Sequence, residues 1–213
     1  MRIILVRHAE AHCNILEDEA IIDSYDPDCE LTEEGMMQAA KLRDEYPVSL
    51  GPAVIYSSCC KRALQTATIF RERFPVPLVE DNRLNELYAP SKFSSPITQR
   101  EWDIWLEERI RFPEKEIVEG LESLDHQSKR IADFYTDMLK RHEQESAETN
   151  LVIFTHAFCI QLSLLHFMGL SSHYLQKCQF KSSNTAMHIV QYDSRSKQFV
   201  IESMNNRLHL QKI

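Results

Sequence analysis

Glycine is scarce in this chain: four residues in 213, where average usage of about 7% would give roughly 15. Backbone positions that need a positive φ, or a close approach of ligand to main chain, are therefore few or are filled by other residues. Long apolar runs are also missing. None approaches the roughly 20 residues that span a bilayer, and no basic segment or small-residue cleavage site precedes the first apolar stretch after Arg2. A cytoplasmic protein without a membrane partner is expected. Positive charge is in deficit as well, with 24 Lys and Arg against 32 Asp and Glu for a formal net charge of -8. The dense cationic surface that nucleic acid requires is absent, so any phosphate is handled locally. No C-x-x-C pair occurs among the six cysteines (13, 29, 59, 60, 159 and 178), which read as reduced thiols, the adjacent Cys59 and Cys60 included.

An apolar fraction of 43% supports one substantial core, so a single domain over residues 1–213 is expected. Strand-like runs fall at Ile3 to Val6, Ala53 to Tyr56, Leu78 to Val79, Leu151 to Phe154, Ala186 to Tyr192 and Phe199 to Ser203. Thr32-Glu33-Glu34 caps a helix through Met36, Ala39 and Leu42 that stops before Pro47, and Lys61 to Arg73 forms a second. Ile131, Phe134, Tyr135, Met138 and Leu139 mark one face of a helix within 121–143, while Ala157 to Met168 reads as a nearly all-apolar buried helix. Alternating strands and helices specify an α/β fold, a three-layer α/β/α sandwich with a mostly parallel sheet and an antiparallel edge strand from the final hairpin. The stretch from Tyr88 to Gly120 fits no sheet strand. Prolines 90, 96 and 113 break it into short pieces, and Phe93, Trp102, Trp105 and Phe112 suit either a cap insertion over the sheet edge or a surface excursion packed into the core.

Chemistry-bearing residues recur at the ends of these strands. Arg7-His8 closes the first, at the carboxyl edge where open α/β sheets bind ligands, and a guanidinium beside an imidazole can hold a phosphate and attack it. Taken alone the pair also reads as a surface charge and a satisfied core histidine. Arg62, in the first turn after the second strand, sits where a helix N-terminus already favours anions. His156 follows the strand Leu151 to Phe154, opening a buried helix. Glu86, in Leu84-Asn85-Glu86-Leu87, has the apolar setting that raises a carboxyl pKa and makes it the candidate acid, with Glu10 next.

Taken in order, these segments resemble the histidine phosphatase superfamily, also called phosphoglycerate-mutase-like, in its first branch. Arg7-His8-Ala9-Glu10 with Asn14 is similar to the signature R-H-G-E-T-x-x-N. Leu31-Thr32-x-x-Gly35-x-x-Gln38-Ala39 is similar to L-T-x-x-G-x-x-Q-A, residues 57–67 to S-S-P-L-x-R-A-x-Q-T-A, Leu84 to Glu86 to L-x-E, and Thr155-His156-Ala157 to T-H-G. Gly120 to Ser123 resembles a G-E-S helix start with one residue inserted, and Asn184 with Leu208-His209-Leu210 resembles the C-terminal elements. The resemblance implies a metal-independent, cofactor-free phosphatase acting on a small phosphorylated substrate or a phosphoprotein. By it, His8 takes the phosphoryl group; Arg7, Arg62 and His156 complete the phosphate pocket; Asn14 contacts the phosphate; Glu86 protonates the leaving group.

The chain departs from the family at Ala9 and Ala157, which replace glycines, at Cys59 and Cys60, which replace proline and leucine, and at Ala11, which replaces threonine. Alanine is costly only if either site needs a positive φ. Three rivals stand beside the phosphatase reading. A metal hydrolase through His8-x-x-x-His12 needs both histidines on a helix, which a strand end forbids. A mutase-type phosphotransferase would continue the acid differently from Glu86-Leu87-Tyr88-Ala89-Pro90. A non-catalytic phospho-ligand module would have lost a charged group, and none is lost. The segment 88–120 sets Lys92, Arg100, Arg109, Arg111 and Lys115 against seven acidic residues, which favours a phosphomonoester with an apolar or neutral body over a dense polyanion.

Overall fold

The computed structural model describes residues 1–146 and 148–210. In chain order its strands are β1 (Arg2–Arg7), β2 (Ile21–Ile22), β3 (Val54–Ser57), β4 (Leu78–Glu80), β5 (Ile97–Thr98), β6 (Asn150–Thr155), β7 (Met187–Asp193) and β8 (Gln198–Asn206). The α-helices are α1 (Glu33–Glu45), α2 (Lys61–Arg71), α3 (Gln99–Arg111), α4 (Leu124–Arg141) and α5 (Ala157–Phe167). Six strands form a sheet in the order β4-β3-β6-β1-β7-β8. The first four run parallel, and β7 and β8 are antiparallel. The final hairpin thus makes the antiparallel edge that was expected, with β7 the one strand of this sheet that runs against the others.

Both faces of the sheet are covered, as the continuous apolar strands require. Alternation along β1 sends Ile3 and Leu5 into a core with Phe134, Tyr135 and Ile160, from α4 and α5, and Ile4 and Val6 into a second core with Leu42 and Phe70, from α1 and α2. Strand β6 does the same with Leu151 and Ile153 against Val152 and Phe154. The parallel register sets Arg7 beside Thr155 and Ser57 beside Phe154. Three chain segments thus leave the sheet together at one edge, carrying Arg7-His8, the residues before Arg62, and His156.

Residues 88–120 differ from the expectation. They contain the 13-residue α3 and the short strand β5, which pairs with β2 in a separate two-stranded sheet. Pro96 and Pro113 flank this stretch instead of interrupting it, and Thr98 with Glu101 forms a capping box that starts α3. Strand β2 was not anticipated, because two residues are too few to register as periodic.

One glycine is fixed by close approach. A Cβ built on Gly35 would lie 1.9 Å from the Glu10 carbonyl oxygen. The N-terminus of α1 rests there on the segment after His8: the Thr32 amide donates to the Glu10 carbonyl at 3.1 Å, and the Thr32 hydroxyl to the Glu10 carboxylate at 2.7 Å. Ala9 and Ala157 stand outside the positive-φ region, which among described residues other than glycine holds Thr185, Lys197 and Asn205. Neither alanine is strained. Gly35→Ala is expected to cost at least about 2 kcal/mol, since the clash is with backbone and must displace α1. Urea denaturation measures it, and a loss under about 0.5 kcal/mol would show that the contact relaxes cheaply.

Candidate active site

A cavity of about 700 Å³ opens at the carboxyl edge of the sheet, lined among others by Arg7, His8, Asn14, Tyr25, Arg62, Glu86 and Trp102. His8 is buried, with Nδ1 2.7 Å from the Ala9 carbonyl oxygen. A carbonyl only accepts, so Nδ1 carries the proton and Nε2 keeps its lone pair. Arg62 Nε donates to that Nε2 at 3.3 Å. Burial first, then the guanidiniums of Arg62 and Arg7, hold the pKa of His8 well below its ordinary value, so the ring is neutral at pH 7. Asn184 Nδ2 donates to the His8 carbonyl at 3.0 Å, and the Ala9 amide donates to Thr66 Oγ1 at 3.1 Å, so the backbone on both sides of the ring is pinned.

Among the described residues, neither guanidinium meets a carboxylate. Arg7 donates from Nη1 to the Ser182 carbonyl at 2.7 Å, and its buried Nε has no partner. Arg62 donates from Nη2 to the Tyr25 hydroxyl at 2.9 Å and from Nη1 to the Asp26 carbonyl at 3.4 Å. The His156 ring lies edge-on to His8, centroids 5.0 Å apart. Ser58 Oγ donates to Asn85 Oδ1, which directs His156 Nε2–H to Ser58 Oγ at 2.8 Å and leaves the buried Nδ1 unpartnered. Burial, Arg62, His8 and Arg7 in that order keep this second ring neutral too.

Glu86 faces the same cavity from the loop after β4. The Phe158 amide, in the first turn of α5, donates to Oε1 at 3.2 Å, while Oε2 is buried without a partner. Burial raises its pKa, outweighing the pull of Arg62, the Phe158 amide, Arg7 and Arg109. Asn14 lines the cavity and accepts the Ala11 amide at Oδ1, 3.1 Å away. All six predicted groups, Arg7, His8, Asn14, Arg62, Glu86 and His156, are thus brought to one edge. Glu10, the fallback acid, is held by the Thr32 hydroxyl at the start of α1. Arg109 is fully buried behind the site, donating to the Glu122 carbonyl and to Gln127, and does not belong to the exposed charge of its segment. Among the described residues, no group of three or more His, Cys, Asp or Glu side chains is arranged to hold a metal ion.

Sequence reasoning missed the residues above the cavity. Segment 18–26 is tied to 93–100 through the Phe93 amide to the Asp23 carbonyl at 2.8 Å, Gln99 to Ala20 at 2.8 Å and Arg100 to Asp18 at 3.0 Å. Tyr25 then stacks on Trp102, ring centroids 6.0 Å apart. The one signal was the apolar pair Ile21-Ile22 in an otherwise acidic stretch.

A histidine with an unprotonated ring nitrogen, two guanidiniums and a buried carboxyl at the edge of a parallel sheet define a phosphate-handling α/β protein. The chain belongs to the histidine phosphatase superfamily (branch 1), which matches residues 3–207, and is a phosphoric monoester hydrolase. It is similar to the 5''-phosphoribostamycin phosphatase of Niallia circulans, 62% identical over 212 residues that cover 99% of each chain. Among solved structures, Bacillus stearothermophilus YhfR is similar with a TM-score of 0.79 at 22% identity, covering 99% of each chain. An alanine variant of the Entamoeba histolytica phosphoserine phosphatase in complex with phosphoserine gives 0.73 at 23% identity, again covering 99% of each.

The buried histidines set the acid stability. His188 is held down to about 4 by burial, and His8 and His156 also fall below the unfolded value of about 6.5. The unfolded chain then binds more protons, so stability is fully present above about pH 6.5 and is lost as pH falls toward the folded values. Glu86, shifted upward, has the opposite sign. Urea unfolding at pH 7.5 and pH 5.0 should show a net loss on the order of 2 kcal/mol or more. Nitrogen NMR on labelled histidine should find His8 neutral and protonated on Nδ1 down to pH 6. An imidazolium signal for His8 at that pH would contradict the assignment.

Proposed function

We propose that the chain hydrolyses its phosphomonoester by double displacement at His8, without a metal ion. The observation that carries this reading is the hydrogen bond from His8 Nδ1 to the Ala9 carbonyl, which leaves the Nε2 lone pair as nucleophile. Nε2 attacks phosphorus in line. The N–P bond forms as the P–O bond to the ester oxygen breaks, and the Glu86 carboxylic acid protonates that oxygen as it leaves. A water then attacks phosphorus and gives its proton to the Glu86 carboxylate, while the N–P electrons return to Nε2 and inorganic phosphate departs. Arg7, Arg62 and Asn14 hold the equatorial oxygens, over which the transition state spreads its charge. A bound dianion offsets the guanidiniums that add to burial in holding the pKa of His156 down, so its unpartnered Nδ1 can take a proton and become a further donor.

The substrate class we propose is an aminoglycoside phosphate, on the strength of 62% identity over the whole chain to the phosphoribostamycin phosphatase. The roof built from 18–26 and 93–106 supports this, since a cap over the phosphate site is where a sugar body is read. We read that roof as an elaboration of a single domain, wider than the expected 88–120 because it recruits the segment after His8.

His8→Ala is expected to leave less than about a hundredth of the wild-type turnover of p-nitrophenyl phosphate. Brief exposure of the wild type to labelled substrate should give an acid-labile, base-stable protein adduct. Retained turnover, or an acid-stable adduct, would move the nucleophile elsewhere. EDTA should leave the rate unchanged. For Glu86→Gln, turnover of alkyl phosphates should fall at least about tenfold further than that of aryl phosphates, whose good leaving groups barely need an acid. Equal losses would remove Glu86 from that role.

A further inference from the structure

The cavity is charged against an anionic substrate body. Its lining holds two permanent cations, Arg7 and Arg62, both at the phosphate end, and four carboxylates: Asp23, Asp26, Glu86 and Asp103. Among the described residues, no lysine lines it. Glu86 is the buried one, and its unpartnered Oε2 marks the point where the leaving oxygen must sit. The other three are exposed at the roof. Each spends one oxygen on a local neutral donor: Ser24 Oγ for Asp23, the Asp28 amide for Asp26 and Gln99 Nε2 for Asp103. Among the described residues, none of the three forms an ion pair.

Their placement follows from the roof's construction. Asp23 and Asp26 flank Tyr25, whose hydroxyl holds Arg62, and Asp103 follows Trp102, which stacks on Tyr25. Carboxylates lining the same cavity as the proposed phosphate-gripping guanidiniums weaken the attraction for the phosphate, so phosphate binding alone does not account for them. A substrate with cationic groups on its body reverses the sign. Its ammoniums meet the roof while its phosphate meets Arg7 and Arg62, and a substrate bearing a carboxylate there is repelled. A cavity of about 700 Å³ also has room for a body much larger than phosphate.

We propose that Asp23, Asp26 and Asp103 are specificity-determining residues that receive ammonium groups of the phosphorylated substrate, with Trp102 as the adjoining wall. This replaces the neutral or apolar body expected from the residue counts of segment 88–120, which missed Asp23 and Asp26 and included the buried Arg109. It rests on the aminoglycoside reading above and adds which residues select for it.

The test compares kcat/KM for 5''-phosphoribostamycin, its N-acetylated derivative and ribose 5-phosphate in the wild type, Asp23→Asn, Asp26→Asn, Asp103→Asn and Asp23→Asn/Asp103→Asn, with circular dichroism as the fold check. The wild type should prefer the amine-bearing ester over both comparators, and less so as NaCl rises from 0.05 to 0.5 M. Each single variant should lower the ratio of the amine ester to ribose 5-phosphate by about threefold and the double variant by about tenfold, through KM more than kcat. Against the N-acetylated ester the same substitutions should change little, because the charge they answer is gone. If the wild type shows no preference for the amine ester, the substrate class falls and the assignment with it. If the preference is present but survives all four variants, or if both substrates lose equally, the roof assignment alone is overturned.

Discussion

Two guanidiniums held only by neutral acceptors at a buried sheet edge are the constraint on which the rest of the structure depends. Among the described residues, Arg7 and Arg62 donate to carbonyls, a tyrosine hydroxyl and an imidazole, and to no carboxylate. Pairing them internally would be cheaper in free energy, because a buried cation without a counter-ion carries a desolvation cost of several kcal/mol. It would also cancel the field that a phosphate dianion needs. Burial first, and then this same field, keeps His8 and His156 unprotonated. A histidine that attacks phosphorus must be neutral, so the cations proposed to bind the phosphate also help burial to keep the proposed nucleophile ready for it.

Glycine scarcity takes on a specific meaning against this background. The positions after the two histidines, where the family carries glycine, hold alanine without entering the positive-φ region. What they need is smallness: Ala9 is wholly buried, and Ala157 opens α5 under the cavity. Positive φ is instead carried by Thr185, at 54°, an uncommon conformation for a β-branched residue. Its amide donates to the Arg7 carbonyl, its hydroxyl meets His209, and its neighbour Asn184 donates to the His8 carbonyl. The strained turn thus sits where the chain returns to brace His8, and local strain is sustained by surrounding contacts of this kind.

The floor of the site was legible in the sequence because Arg7, His8, Arg62 and His156 each come at or within six positions after the end of a predicted strand. An apolar run predicts the strand, the strand predicts its carboxyl edge, and the edge places Arg7, His8, Arg62 and His156 together with no knowledge of the loops. Glu86 was read from its apolar setting after a short strand, whereas Asn14 came through motif resemblance alone. Helix α3 was misjudged because prolines were counted as breaks without asking what lay between them, although the capping signal of Thr98 and Glu101 was present. Tyr25, which grips Arg62, was invisible: its position depends on the pairing of Ile21–Ile22 with Ile97–Thr98, a contact two residues long between distant segments.

That asymmetry between floor and roof has a physical origin. Phosphoryl transfer asks for the same charges at the same distances whatever ester is cleaved, so the floor is tied to the rigid sheet and to short motifs. Recognition of the ester's body asks for charges of either sign at positions the sheet does not reach, and it falls to loops held together by a few backbone hydrogen bonds. In this chain the roof carries carboxylates over a floor that carries guanidiniums, so the two ends of the cavity have opposite signs. A ligand that satisfies both is a zwitterion with its negative end inward. Electrostatic repulsion from the roof works against plain anions, while the floor excludes plain cations. The charge pattern therefore selects for the combination of groups, which neither half of the site does alone.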